Sequence, residues 1–407
     1  MTEVPPPDSI RRHRPFVLFW FARIFASVAL QMQVVAVGWQ VYALTGSTLD
    51  LGLVGLAQFL PSVALLLFAG HAADRYDRRL IVRLCQTVQA CCAAILAIGS
   101  YQGWLTRDLI FVTVFVIGSA RAFEMPTTQA LLPGLVPAAL LPRAIAGSAS
   151  AMQTANIGGP ALGGFLYAIG PTFVYSLCGL LFFTASMLIA AIRIERVVPP
   201  RQPVSAELLF AGIAFIRKNP IILGAISLDM FAVLLGGATA LLPVYAHDVF
   251  ATGPWGLGLL RAAPAVGALL MALALGHWQI RTRAGLKMFL AVGAFGLATI
   301  VFGLSTSFPL SLAALFIIGA SDMVSVVVRQ TLVQLNTPDP MRGRVAAVNA
   351  LFIGTSNQLG EFESGVLANF VGAKASIVIG GIGTLAIVGA WMALFPQLRK
   401  VERLDNR

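Results

Sequence analysis

Charge is what this sequence is short of. Of its 407 residues only 11% are charged, and just 17 are acidic. A soluble globular domain carries about 25% charged residues, so a water-soluble fold of this length would lack the polar surface to cover itself. Cysteine is scarce as well. Cys85, Cys91, Cys92 and Cys178 all fall within apolar stretches, in a pattern that fits neither a zinc site nor a disulfide frame. The four histidines, His13, His71, His247 and His277, are scattered and form no metal-ligand set. No P-loop is present, which excludes ATP as a direct energy source, and no catalytic constellation appears. The chain is therefore not expected to be an enzyme, and no cofactor and no metal are expected. A cleavable signal is not expected either, because a polar, proline-rich start leads into an apolar run too long for a signal core.

Apolar sequence is what remains. Hydrophobic residues make up 58% of the chain, with a mean hydropathy of +0.84. Runs long enough to cross a bilayer fall at 16–44, 51–69, 81–100, 108–131, 144–168, 172–193, 220–246, 255–277, 285–304, 309–334, 345–370 and 373–396. Twelve runs predict an all-α membrane protein of two six-helix bundles, 16–193 and 220–396. A tail at 1–15 and another at 397–407 flank them. The break at 194–219 begins with Pro199, Pro200 and Pro203, then places Leu209, Ile213 and Ile216 at helical spacing. It predicts a linker with an amphipathic helix on the membrane surface.

The excess of basic residues gives the orientation. With both termini in the cytoplasm, 22 of the 28 Lys and Arg fall inside and only Arg107 and Lys374 outside, the other four lying within apolar runs. This is the inside-positive distribution of membrane proteins, and no nucleic-acid partner is needed to explain it.

The two bundles are copies. A shift of 201 residues aligns Gly118 with Gly319, Gln129 with Gln330, Pro137 with Pro338, Arg143 with Arg344, Asn156 with Asn357 and Gly159 with Gly360. A weaker echo at a shift of 206 pairs Gly70, His71 and Arg75 with Gly276, His277 and Arg281. Parallel repeats of this kind imply alternating access around a central cavity.

Two motifs carry a resemblance. GHAADRYDRR at 70–79 resembles the loop signature of the major facilitator superfamily, through Gly70, Asp74, Arg75, Arg78 and Arg79. Asp77 stands where the usual glycine would be, a departure also met in the transmembrane secretion effectors. The resemblance implies a cytoplasmic latch. A loop that only set topology would need arginine but not Asp74. GPALGG at 159–164 resembles the antiporter motif of exporters through Gly159, Pro160, Gly163 and Gly164, although such residues also serve ordinary close helix packing. With ALLPGLVP at 130–137, FIRKNP at 215–220 and PDPMRGRV at 338–345, the chain is similar to the enterobactin-exporter and macrolide-efflux branch of that superfamily.

Nine ionisable residues sit within apolar runs: Arg23, Arg121, Glu124, Asp229, Arg261, Asp322, Arg329, Glu361 and Glu363. Each costs about 2.5–3.5 kcal/mol at a helix centre, so they should pair or line a cavity. Arg23 and Arg261 lie near run ends and can snorkel. Arg121 and Glu124 share one helix face, and the repeat sets Asp322 at Arg121's equivalent. They read either as a coupling pair with Asp322 or as static packing. Asp229 has no basic neighbour on its own helix and is the first candidate for a protonatable site. Glu361 lies beside the polar cluster Ser356, Asn357 and Gln358, and Arg329 is placed to pair with an acid or an anionic substrate. Gln31, Gln33, Gln153, Asn156, Gln330 and Asn357 are candidate cavity lining, or interhelical hydrogen bonds.

The expectation is a proton-coupled antiporter exporting an amphipathic small molecule, with a siderophore first, as the resemblance implies, and macrolides or other drugs next. A non-transporting receptor or a lipid-moving protein is the alternative from another class. The expected partners are substrate, protons and the lipid bilayer, with the chain acting as a monomer in a bacterial inner membrane.

Overall fold

The computed structural model describes residues 10–193, 206–278, 280 and 282–402, and among them the chain is helical without a strand. The first helices are α1 (Arg14–Thr45), α2 (Thr48–Ala64), α3 (Leu66–Arg75), α4 (Arg78–Gln102), α5 (Arg107–Leu131), α6 (Leu141–Ile169) and α7 (Pro171–Ala190). After the linker come α8 (Ala206–Lys218), α9 (Pro220–Leu235), α10 (Pro254–His277), α11 (Ala284–Leu304), α12 (Phe308–Leu335), α13 (Asp339–Val371) and α14 (Ala373–Leu394). Proline opens α7, α9, α10, α12 and α13, where its missing N–H is no loss and its fixed φ suits the first turn. Between α9 and α10 the chain passes through two short turns and one π-helical turn, Tyr245–Val249.

Among the described residues nine helical segments are long and apolar enough to cross a membrane, α9 being counted with the turns that carry it on to Val249. The other three crossings are α2 continued by α3, then α6, then α13. α6 and α13 have the length, at 29 and 33 residues, but are rich in Gly, Ser, Asn and Gln. They are repeat partners at the 201-residue shift, so the lowered apolarity belongs to the duplicated unit. The result is the expected twelve-span helical fold in two copies of six.

Contacts divide the chain into two compact units. The first runs to Val37 and resumes at Ala57; the second takes Gly38–Leu56 together with the described residues from 206 onward. Inside the first, α4 packs along α7 and α5, and α3 along α5. Inside the second, α11 packs along α14 and α12, and α10 along α12. These are the same three neighbour pairs, carried across the repeat.

Paired glycines fix the crossings. A Cβ on Gly118 of α5 would lie 2.5 Å from the Gln58 carbonyl oxygen of α2, and one on its repeat partner Gly319 would collide with the Pro264 carbonyl of α10. Likewise, a Cβ on Gly159 would lie 2.5 Å from Gln31 Cβ, and one on Gly360 would lie 2.8 Å from the Leu234 carbonyl oxygen. Only glycine lets these backbones approach so closely.

Within the break at 194–219, residues 206–218 form α8, while 194–205 lie outside the described residues. Ile216 of α8 joins a buried cluster with Ile222 and Ile226 of α9, Val333 of α12, and Val345 and Val348 of α13. Ile213 and Phe215 of α8 pack against the same cluster.

Candidate functional site

Each unit carries one buried polar cluster. In the first, α5 presents Arg121 and Glu124 one turn apart, and α4 presents Gln86 and Gln89 with the same spacing. The two glutamines donate to the Glu124 carboxylate, Gln86 Nε2 to Oε1 at 3.0 Å and Gln89 Nε2 to Oε2 at 2.6 Å. Arg23 of α1 lies within electrostatic reach of the same carboxylate, and its Nε is buried without a hydrogen-bond partner. These groups line a cavity of about 100 Å3 whose apolar walls include Phe19, Leu30, Met125 and Met152. Arg23, which could have snorkelled from its run end, belongs to this cluster.

In the second unit, Asp229 of α9 and Arg329 of α12 form an ion pair at 3.0 Å, with side chains only 7% and 2% exposed. Arg329 Nη1 also donates to Asn349 Oδ1 of α13 at 3.3 Å. Asp322 lies two turns before Arg329 on α12, on the same face, and interacts electrostatically with both Asp229 and Arg329. Asp229, Asp322 and Ser325 line a space of only about 10 Å3. The cluster thus holds two acids and one arginine. Asp229 lacks a basic neighbour on its own helix because its partner comes from α12.

A second pair of opposite charges sits in this unit. Arg261 of α10 and Glu361 of α13 attract one another, and Thr239 hydrogen-bonds to Glu361. Gly55 packs closely against the Glu361 side chain. Beside the same unit's π-helical turn, the Tyr42 hydroxyl donates to Asp248, whose other oxygen contacts His247 Nδ1 at 2.6 Å.

The loop motif at 70–79 ties helix ends together inside the first unit. Asp77 caps α4 by accepting from Arg79 N at 2.9 Å, and pairs with the Arg79 guanidinium at 2.9 Å. The hydrogen bond from the Arg79 side chain is the main reason its carboxyl sits below the usual carboxylate range. Arg78 donates to the Ala73 carbonyl at 3.2 Å and the Ala130 carbonyl at 2.9 Å. Arg79 reaches the Ile192 carbonyl at 2.9 Å. Three helix C-terminal ends, those of α3, α5 and α7, receive positive charge this way, as helix dipoles favour. Gly70 and Arg75 lie on α3 with Asp74, whose side chain is outside the described residues.

The candidate lining residues separate. Gln31 Nε2 donates to Asn156 Oδ1 at 2.6 Å. Gln33 is buried with both amide ends unpartnered. Gln153 is half-buried and interacts with neighbours. Gln330 and Asn357 are exposed, and Asn357 donates to the Ile353 carbonyl of its own helix. In GPALGG, Gly159, Pro160, Gly163 and Gly164 are all buried, and a Cβ on Gly163 would lie 2.8 Å from Met32 Cα.

The profile of the transmembrane secretion effectors matches residues 9–407. The chain belongs to that family. Among relatives of this effector, the enterobactin exporter EntS of Citrobacter koseri is 28% identical over 97% of the chain and 95% of its own length. EntS of Shigella dysenteriae serotype 1 is 27% identical over 96% and 94%. The fold is that of major facilitators. A bacterial homologue of the human lysosomal transporter Spinster superposes with a TM-score of 0.76 at 14% identity, covering 97% of this chain and 99% of the other. The nucleoside transporter NupG does so at 0.69 and 14% identity, covering 94% and 99%.

Several polar partners in the effector carry no sequence signal. Gln86, Gln89 and Asn349 read as ordinary helix residues until the fold brings them to a charge. One signal was available. The 206-residue shift pairs Arg23 with Asp229, and the 201-residue shift pairs Arg121 with Asp322. The second of these pairings is already legible in the sequence; the first joins it as a position repeated with its charge inverted, which a search for identities passes over.

Proposed function

We propose that this effector is a proton-coupled exporter of an amphipathic small molecule, most directly a siderophore, working by alternating access with both termini in the cytoplasm. The names of its relatives support the direction and the substrate class. The observation that carries the coupling is the cluster of Asp229, Asp322 and Arg329. One arginine compensates one carboxylate, and it is already paired with Asp229 at 3.0 Å. A second uncompensated negative charge in so dry a place is costly, so Asp322 is the acid that gains and loses the proton.

This moves the protonatable role from Asp229 to Asp322, with Asp229 as the fixed counter-charge. The loop residues Asp74, Arg75, Arg78 and Arg79 serve the gate, and Gly159, Pro160, Gly163 and Gly164 the helix motion of export. The test is efflux from cells lacking their own siderophore exporters. Wild-type protein lowers retained siderophore and a protonophore abolishes the effect, whereas D322N gives no active efflux although the protein reaches the membrane. Efflux that persists in D322N, or that ignores the protonophore, contradicts the coupling.

A further inference from the structure

The two polar clusters occupy equivalent places in the repeat but are built for different cargo. In the second unit two acids flank one arginine, and the space beside them is about 10 Å3. In the first unit two arginines flank one acid, and the cavity is about 100 Å3. Since a cavity of about 150 Å3 holds benzene, the smaller space admits at most a water while the larger admits a group of several heavy atoms.

The first cavity is also unbalanced in charge. Each oxygen of Glu124 already receives an amide hydrogen, from Gln86 and Gln89. The carboxylate is thus held as a fixed counter-charge on the α4 side. Arg23 keeps a buried Nε without a partner, and Arg121 feels Glu124 only through space. Two guanidiniums, Arg23 with an unpartnered Nε, against one occupied carboxylate give a net positive pocket. Phe19, Leu30, Met125 and Met152 make the larger part of the remaining wall apolar and soft, with Ser27, Thr128 and Gln129 beside them.

We propose that the first-unit cavity binds the anionic group of an amphipathic substrate between Arg23 and Arg121, with the apolar part of the substrate against Phe19, Met125 and Met152. Planar guanidiniums suit carboxylate-like and catecholate-like oxygens that accept two parallel bonds. A cationic amphiphile, such as an amine-bearing macrolide, meets two like charges there and is rejected. The inference rests on the exporter reading for the word substrate, and it narrows that reading to anionic cargo.

The test uses purified protein in lipid nanodiscs, no gradient, and three radiolabelled probes sharing one apolar body: 2-naphthoate, 2-naphthamide and 2-naphthylmethylammonium. Naphthoate should bind saturably and the ammonium should not. R23Q and R121Q should each weaken naphthoate binding about tenfold or more, the scale of one charge-assisted contact, with R121K restoring part of it. E124Q should tighten naphthoate binding, a change that damage to the fold does not produce. The proposal is overturned if the ammonium binds better than the naphthoate. It is equally overturned if naphthoate shows no saturable binding, if R23Q/R121Q leaves its affinity unchanged, or if E124Q weakens it. Binding and transport fail separately here. Arginine-dependent naphthoate binding with no protonophore-sensitive efflux would refute the exporter reading and leave this site standing.

Discussion

Arg329 and Asp229 are two charges that the bilayer would expel singly. Removing one partner of a buried pair leaves the other uncompensated and costs about 3–5 kcal/mol. R329Q and D229N should therefore lower thermal stability in detergent by that order, and the double variant D229N/R329Q should recover much of the loss. A double variant no more stable than the singles would show that the pair is not acting as a unit. Asp77 is a different case, at a helix end and half-buried. D77A removes an N-cap, costing about 1 kcal/mol at neutral pH. The Asp77 carboxyl is held below its usual range in the folded state. Its contribution is therefore present above the unfolded carboxylate value, about 3.9, and fades as pH falls through the folded value. Wild type and D77A should converge in acid, and a gap that widens there would contradict the capping role.

At the scale of helices, the packing depends on a few crossings with no room for a side chain. Gly319 and Gly118 meet carbonyl oxygens of the neighbouring helix, whereas Gly158 meets nothing within 4 Å of an added Cβ. G319A and G118A should reduce folded yield and melting temperature, and G158A should leave both unchanged. Equal tolerance at all three would mean that the helices are not held at these crossings. Much of this was legible in the sequence. Gly118 with Gly319 and Gly159 with Gly360 are identities in the repeat, and the first pair meets a carbonyl oxygen in both units, while Gly159 meets the Gln31 side chain and Gly360 the Leu234 carbonyl. The polar clusters were only half legible. Arg121, Glu124, Asp229, Asp322 and Arg329 announce themselves as charges within apolar runs. Their partners do not, because Gln86, Gln89 and Asn349 come from helices related by no periodicity to the charges they serve. The loop motif was legible as a cluster of arginines, but the capping role of Asp77 depends on where α4 begins.

For the molecule as a whole, duplication followed by divergence explains the arrangement: one scaffold, two clusters at matching positions, opposite in sign. The inside-positive distribution of Lys and Arg predicts that cysteines introduced at Arg75 and Arg342 react with an impermeant thiol reagent from the same face, opposite to one at Lys374. Labelling of positions 75 and 342 from opposite faces would break the twelve-span topology. The most direct measurement is uptake of radiolabelled enterobactin into everted membrane vesicles, where export runs inward, with a pH gradient imposed and then collapsed by a protonophore. Wild type should take the probe up concentratively and lose it when the gradient collapses, and D322N should show no such uptake. Concentrative uptake by D322N, or uptake indifferent to the gradient, would rule out proton coupling through Asp322.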